Sequence, residues 1–295
     1  MSLPAYSVST ADLVAAARAL HMRDPTPIFE DPYAHLLCGR FFGLVLKFSP
    51  LEYLLNKLVL DAVKPTAMCV VMRARYAEQT LERAVQQGIR QYVIIGAGMD
   101  SFAFRRADLL EHIDSFEIDH PVTQGKKLHR IRRAGLTVPP HHHFVEADLT
   151  QVSPVAALSG SSFDMGRLSF MSLLGVAYYL TRETLSASAR SLSDGLPTGT
   201  YLVFDYLLDE ESSDSAALPL RAKMLDFVEK RGEPMRASYS LDQMNELMAD
   251  AGFETVENFK ITDVEDSYRA EFGTLPFDIP GLFAFGLFRV ARRTS

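Results

Sequence analysis

The sequence predicts an α/β protein with a doubly wound, Rossmann-like sheet. The sheet is mostly parallel and seven-stranded, with the last strand antiparallel and a helical segment ahead of it. Three observations predict this. Apolar runs at residues 92–95, 115–118, 168–174 and 200–206 read as strands buried on both faces. Helical stretches with cap residues alternate with them, which builds βα units and a parallel sheet. The first run ends in Gly96-Ala97-Gly98, and an acid, Asp119, follows the second. That is the layout of a nucleoside-binding crevice at the carboxyl edge of a sheet.

The elements follow in order. Residues 9–22 (STADLVAAARALHM) make a helix that Ser9 or Thr10 caps. Pro25 and Pro27 interrupt the pattern, and a short helix follows near residues 31–37. Residues 41–63 suggest one or two amphipathic helices broken at Ser49-Pro50. A long helix runs from about 66 to 87, with Gly88 as its stop. After strand 92–95 come a helix over 102–110, strand 115–118, a helix over 122–134 and strand 144–146. A fourth strand lies within 168–174, a helix covers 182–192 before Asp194-Gly195, and strand five is 200–206. The stretch 209–240 opens on DEESSDS, turns helical over 218–230 and carries a GEP loop. Ser240 and Gly252 bracket a helix at 241–251. Strands at 255–259 and 282–290 close the chain as an antiparallel pair. The expected organisation is one domain: a helical cap (1–65), a cofactor-binding core (66–208), an insertion or lid (209–240) and the end of the sheet (241–295).

The 295 residues carry a net charge of −7, which disfavours a nucleic-acid backbone as partner. The basic run KKLHRIRR (residues 126–133) reads as a solvated helix face. Cys38 and Cys69 have no CxxC partner, which predicts reduced thiols and a cytoplasmic setting. No signal-peptide pattern opens the chain, and charges and Pro50 interrupt the apolar stretch 41–60, so no membrane span is expected. His141-His142-His143 invites a metal reading, but adjacent side chains on an extended segment point to opposite faces and no further ligands complete a site. No metal is expected.

The glycine turn favours one cofactor over another. A dinucleotide site wants a third glycine where this chain has Ser101, and Asp100 beside it would repel a pyrophosphate. A cationic sulfonium would not be repelled, which points to S-adenosylmethionine, with S-adenosylhomocysteine as product. Gly96, Ala97 and Gly98 would face its methionine part. Asp119, or Glu117 two residues earlier, would take the ribose hydroxyls. Asp148, at the end of strand three, would accept from the adenine amino group with Leu149 against the ring; a turn cap beside Thr150 is its alternative role. Arg73 and Arg75, on the helix before strand one, could hold a carboxylate with two parallel bonds. A nicotinamide oxidoreductase and a non-catalytic cofactor-binding protein are the rival readings.

The strings VIIGAGMDSFAFR, FEIDHP and FVEADLT resemble the leucine carboxyl methyltransferase family, in particular its bacterial polyketide O-methyltransferase-like branch. The likeness extends to ARAL with DPYA, MRARY, SLLGVAYYLT, GEPMRASYS and FGLFRV. It implies dependence on S-adenosylmethionine, chooses Asp119 over Glu117 as the ribose acid, and puts the carboxylate-binding arginine at Arg75. Arg18 aligns loosely with a basic contact of the eukaryotic members. Those members carry a glutamate where this chain has Leu174, which weakens any transfer of their leucine-carboxyl substrate.

Methyl transfer to a carboxylate needs alignment more than acid–base chemistry, whereas a hydroxyl needs a base or a positioning group. Asp205 and Tyr206 at the end of strand five, and Tyr178 or Tyr179 after strand four, are the candidates. Phe41, Phe42, Phe48 and Tyr53 could cover the site, which suggests a small hydrophobic or aromatic acceptor. The expected reaction is O-methylation of a small-molecule carboxylate or hydroxyl. The sequence carries no indication of oligomeric state.

Overall fold

A computed structural model describes residues 9–39, 42–43, 64–273, 275 and 279–291. Most of the segment 41–63, and with it Phe41, Phe48 and Tyr53, lies outside the described residues. Helix α1 (Thr10–His21) starts where the Ser9 hydroxyl accepts from the Asp12 N–H. Helix α2 (Ala34–Leu37) and the long α3 (Lys64–Gln86) follow. Then come β1 (Gln91–Ile95), α4 (Phe102–Arg105), α5 (Ala107–Leu110), β2 (Asp114–Asp119), α6 (Pro121–Arg133), β3 (His142–Glu146), α7 (Pro154–Ser159) and β4 (Ser169–Leu173). The chain closes with α8 (Arg182–Gly195), β5 (Tyr201–Leu207), α9 (Leu218–Glu229), α10 (Leu241–Asp250), β6 (Phe253–Lys260), α11 (Glu265–Phe272) and β7 (Phe283–Val290).

The seven strands lie in the order β3-β2-β1-β4-β5-β7-β6. Strands β1 to β5 are mutually parallel, and β7 runs antiparallel to both β5 and β6. The order reverses between β1 and β4, the switch point at which open α/β sheets bind ligands. Every residue of β1 and β4 is buried, as their continuous apolar runs require. Alternate residues feed two cores. Tyr92, Ile94, Val203 and Leu207 pack beneath α3, while Val93, Ile95, Phe204 and Tyr206 pack beneath α8 and α10.

Several boundaries differ from expectation for physical reasons. The helix expected over 102–110 is two four-residue helices, broken at Arg106 with φ −113° and ψ 45°. β3 begins two residues early because His142 pairs in register with Ser115 and its ring is buried under α6. The long connection before β7 contains α11, and Pro154 opens the short α7; neither was expected. α10 has the expected cap at Ser240, which shares a capping box with Gln243. The insertion leaves and rejoins the core at one point, where Leu208 and Tyr239 form an isolated parallel bridge.

Glu117 proves to be structural. Its carboxylate is buried and pairs with the buried Lys127 of α6, with His142 3.3 Å away. Burial pushes its pKa up, but Lys127 and His142 outweigh that and hold it below the usual range. Lys127→Met should therefore lose about 3–5 kcal/mol by leaving an uncompensated buried carboxylate, measured by urea unfolding. Because the folded pKa is depressed, the pair's stabilisation is complete above the unfolded value near 4.5 and drains as pH falls through the folded one. The wild-type advantage over the variant should shrink in that acid window.

Candidate active site

The glycine turn closes the end of β1. The N–H groups of Gly96 and Ala97 both donate to the Ile118 carbonyl, at 2.8 and 3.3 Å. Gly96 and Gly98 have φ of 71° and 54°, open to glycine at little cost. A Cβ on Gly96 would stand 2.8 Å from a Val176 methyl. One on Gly98 would stand 3.3 Å from Ala11, so the start of α1 lies directly over the turn. Arg18 of α1 fixes that position, donating to Met99 O at 2.7 Å and Asp31 at 2.8 Å.

Asp119 faces this turn. One carboxylate oxygen accepts the Gly98 N–H and the other accepts its neighbour's, from His120, at 2.6 Å. Burial raises its pKa, and these two donors only partly offset the rise. Asp100 is not the free charge that the sequence suggests. It caps Phe102 N at 2.6 Å and lies 3.6 Å from Arg105. Burial works against its charge, but Arg105, Arg18 and Lys127 hold its pKa low. The argument against a pyrophosphate therefore shifts from Asp100 to the helix: four residues after the turn offer little aligned dipole.

Asp148 accepts from the Thr150 N–H and hydroxyl, at 3.0 and 2.6 Å, so it does cap a turn. It also lines an open cavity of about 350 Å³ with Pro121, Glu146 and Ala147 at the ends of β2 and β3. Leu149 packs, partly buried, against the core beneath α8 and α10.

A second cavity, about 420 Å³, lies on the α3 side. Leu13, Val14, Ala17, Val70, Met224 and Phe283 supply much of its apolar wall. Arg73 and Tyr178 bring the buried polar groups. Arg73 Nη1 donates to Asp205 Oδ2 at 3.0 Å and to the Tyr178 hydroxyl at 3.1 Å. Asp205 Oδ1 accepts the Gly175 N–H at 2.6 Å. Burial opposes the Arg73 charge, but Asp205 and Tyr178 more than restore it, so its pKa is raised. Gly175 has φ 73°, and a Cβ there would lie 2.6 Å from the guanidinium. Position 175 matters as much as the turn after β1, yet its only sequence signal was a glycine just past an apolar run.

The remaining candidates separate. Arg75 points elsewhere: it donates to Ile28 O at 2.8 Å and Glu271 at 2.6 Å, with its guanidinium over Phe272. The two arginines are neighbours by alternate residues, yet only Arg73 reaches the strand ends. Tyr206 does not reach the cavity either. It follows Asp205 on a strand, so it faces the other core, where its hydroxyl donates to Asn258 at 2.6 Å. Tyr179 lines the cavity, and burial pushes its phenol up to about 12. Cys69 is also on the wall, its thiol raised by burial to about 12. The three histidines diverge: His141 pairs with Asp114 at 3.0 Å, His142 with Ser115 at 2.7 Å, and His143 stacks on Phe116. Among the described residues, no group of three or more His, Cys, Asp or Glu side chains could hold a metal ion. No described helix is long and apolar enough to cross a membrane.

Comparison with known proteins gives this geometry its context. A profile of the leucine carboxyl methyltransferase family matches residues 11–192. A Bacillus subtilis (strain 168) protein named "Putative S-adenosyl-L-methionine-dependent methyltransferase YktD" is 32% identical over 280 residues, covering 88% of this chain and 90% of its own. A Mycobacteroides abscessus protein of the same description is 34% identical over 181 residues, 59% of this chain and 57% of its own. The fold is shared with a DUF574 family protein from Streptomyces avermitilis MA-4680, with TM-score 0.62, 16% identity, and coverage of 87% of this chain and 95% of that one. Sheet order, glycine turn and relatives together define an S-adenosylmethionine-dependent methyltransferase. Within that class, the chain belongs to the leucine carboxyl methyltransferase family. The residues present fit the cofactor: two glycines in left-handed backbone make the tight turn at the end of β1, and the acid at the end of β2 faces the same turn. The nicotinamide reading is set aside.

Gly175→Ala should displace the Arg73 guanidinium and force an L-residue into a left-handed conformation. A loss of about 1–3 kcal/mol of stability is expected, read from the urea midpoint, with Ser169→Ala at the far end of β4 as the control.

Proposed function

We propose that this methyltransferase acts on an oxygen, carboxylate or hydroxyl, of a small apolar or aromatic molecule held in the 420 Å³ cavity. The observation that carries this reading is the cavity's composition: an apolar wall with two buried polar groups, Arg73 and Tyr178, at its inner end. Among the described residues, Arg73 donates only through Nη1, and the Tyr178 hydroxyl keeps its own proton to give. Such a pair suits an oxygen-bearing head group on an apolar body.

Cofactor binding falls to the adjoining crevice. Gly96, Ala97 and Gly98 admit the methionine part close to the backbone, Asp119 takes the ribose hydroxyls, and Asp148 with Leu149 takes the adenine. Arg73, rather than Arg75, faces the cavity, where it would meet an acceptor carboxylate. When bound, the cofactor supplies an electrophilic methyl group on a sulfonium. The protein's task is to align the acceptor oxygen and exclude water. Asp205 anchors Arg73 rather than acting on the acceptor, since both its oxygens are engaged. Tyr178, Tyr179 and Cys69 all have pKa values raised by burial, so none is ionised near neutral pH. A carboxylate, which needs no deprotonation, is therefore the simplest acceptor. The two free, buried thiols fit a reducing compartment such as the cytoplasm.

Radiolabelled methyl transfer to a panel of aromatic and aliphatic carboxylic acids, phenols and amines tests the reading. Methyl esters or ethers should form, and labelling confined to amines would overturn it. Asp119→Ala should weaken S-adenosylhomocysteine binding by about 1–3 kcal/mol in isothermal titration, with the melting curve preserved.

A further inference from the structure

We propose that Glu233 receives the proton released when a hydroxyl acceptor is methylated, and that Tyr179 and Thr10 carry it there from the cavity. This rests on the oxygen-acceptor reading above and gives hydroxyl compounds a route that the cavity wall alone lacks. The Thr10 hydroxyl donates to Glu233 Oε2, and Tyr179 lines the same cavity wall as Thr10. A threonine hydroxyl has one proton and two lone pairs, so it can accept from Tyr179 while donating to Glu233. The three groups come from separate parts of the chain: the first turn of α1, the loop after β4, and the loop between α9 and α10.

Their placement is fixed at both ends. Ala11, next to Thr10, abuts Gly98 of the glycine turn, so the relay starts beside the cofactor crevice. The Glu233 loop is held by the Arg236 N–H on Tyr178 O at 2.7 Å and by the Glu233 N–H on Val228 O at 3.1 Å. Glu233 itself is half-buried, so it stays open to water. The cavity wall itself carries the charged groups Arg73, Lys223, Asp226, Lys230 and Arg231.

In the step itself, the acceptor oxygen forms a bond to the methyl carbon as the sulfur–methyl bond breaks, its electron pair remaining on sulfur. The acceptor's proton passes to the Tyr179–Thr10 pair as Thr10 passes its own to the Glu233 carboxylate, from which it leaves to water. No other reactant is consumed.

The test compares the full-length wild type with Glu233→Gln, Thr10→Val and Thr10→Ser. The acceptors are a graded series of 4-nitrophenol, 4-chlorophenol and phenol, alongside benzoic acid. Glu233→Gln should lower kcat about 10²-fold for phenol, less for the more acidic nitrophenol, and not at all for benzoic acid. Equilibrium binding of phenol without cofactor, and the melting temperature, should be unchanged. Thr10→Val should reproduce the loss and Thr10→Ser should rescue it. Equal losses for phenol and benzoic acid, or none in either Glu233→Gln or Thr10→Val, would overturn the relay. Wild-type transfer to carboxylic acids alone would overturn it too, leaving the oxygen-acceptor reading intact. Transfer to no oxygen at all would remove both.

Discussion

The buried ion pair between Arg73 and Asp205 is the constraint on which the site depends. It crosses from the helix before the sheet to the end of the fifth strand. Through Gly175 it also reaches the end of the fourth. A charge pair with this little exposure contributes modestly to net stability, since desolvation consumes much of the attraction. Its value is geometric. It fixes the 420 Å³ cavity relative to the strand ends that carry the glycine turn, and it leaves part of a guanidinium on a largely apolar wall.

The N-terminal helix performs the matching task from above. Arg18 ties it to the glycine turn and to Asp31, while Arg105 joins Asp31, Asp100 and Glu78 in one buried network. The helix is thus held by charge as well as by apolar packing, and it lies over both the turn and the cavity. The insertion meets it from the other side through Glu233. The glycine turn and the 420 Å³ cavity share this roof, so the two are mechanically joined at their covers as well as through the sheet.

Much of the fold was legible because its cause is local. Buried parallel strands need continuous apolar runs, helices need caps, and a tight turn needs glycine; each leaves a mark within a few residues. That Glu117 is tied up in an ion pair while Asp119 faces the glycine turn was not legible in the strand itself. Both lie on one strand face, and what separates them is Lys127, which reaches Glu117 from a helix ten positions on. Side-chain destination was the illegible part. Arg73 and Arg75 read alike, and Asp205 and Tyr206 are adjacent, but a helix rotation of two residues and a strand alternation of one send each partner elsewhere. The Asp100 argument failed because Arg18 arrives from α1 and Arg105 folds back from the end of the short helix that Asp100 caps, so its charge is offset.

The narrow neck of the insertion has a consequence for how such a molecule can diversify. Because residues 209–238 depart and return at the Leu208–Tyr239 bridge, this excursion can lengthen, shorten or change composition without disturbing strand register. Variation can therefore reshape the part of the cavity wall that Met224 and Phe227 supply while the parallel strands are inherited intact.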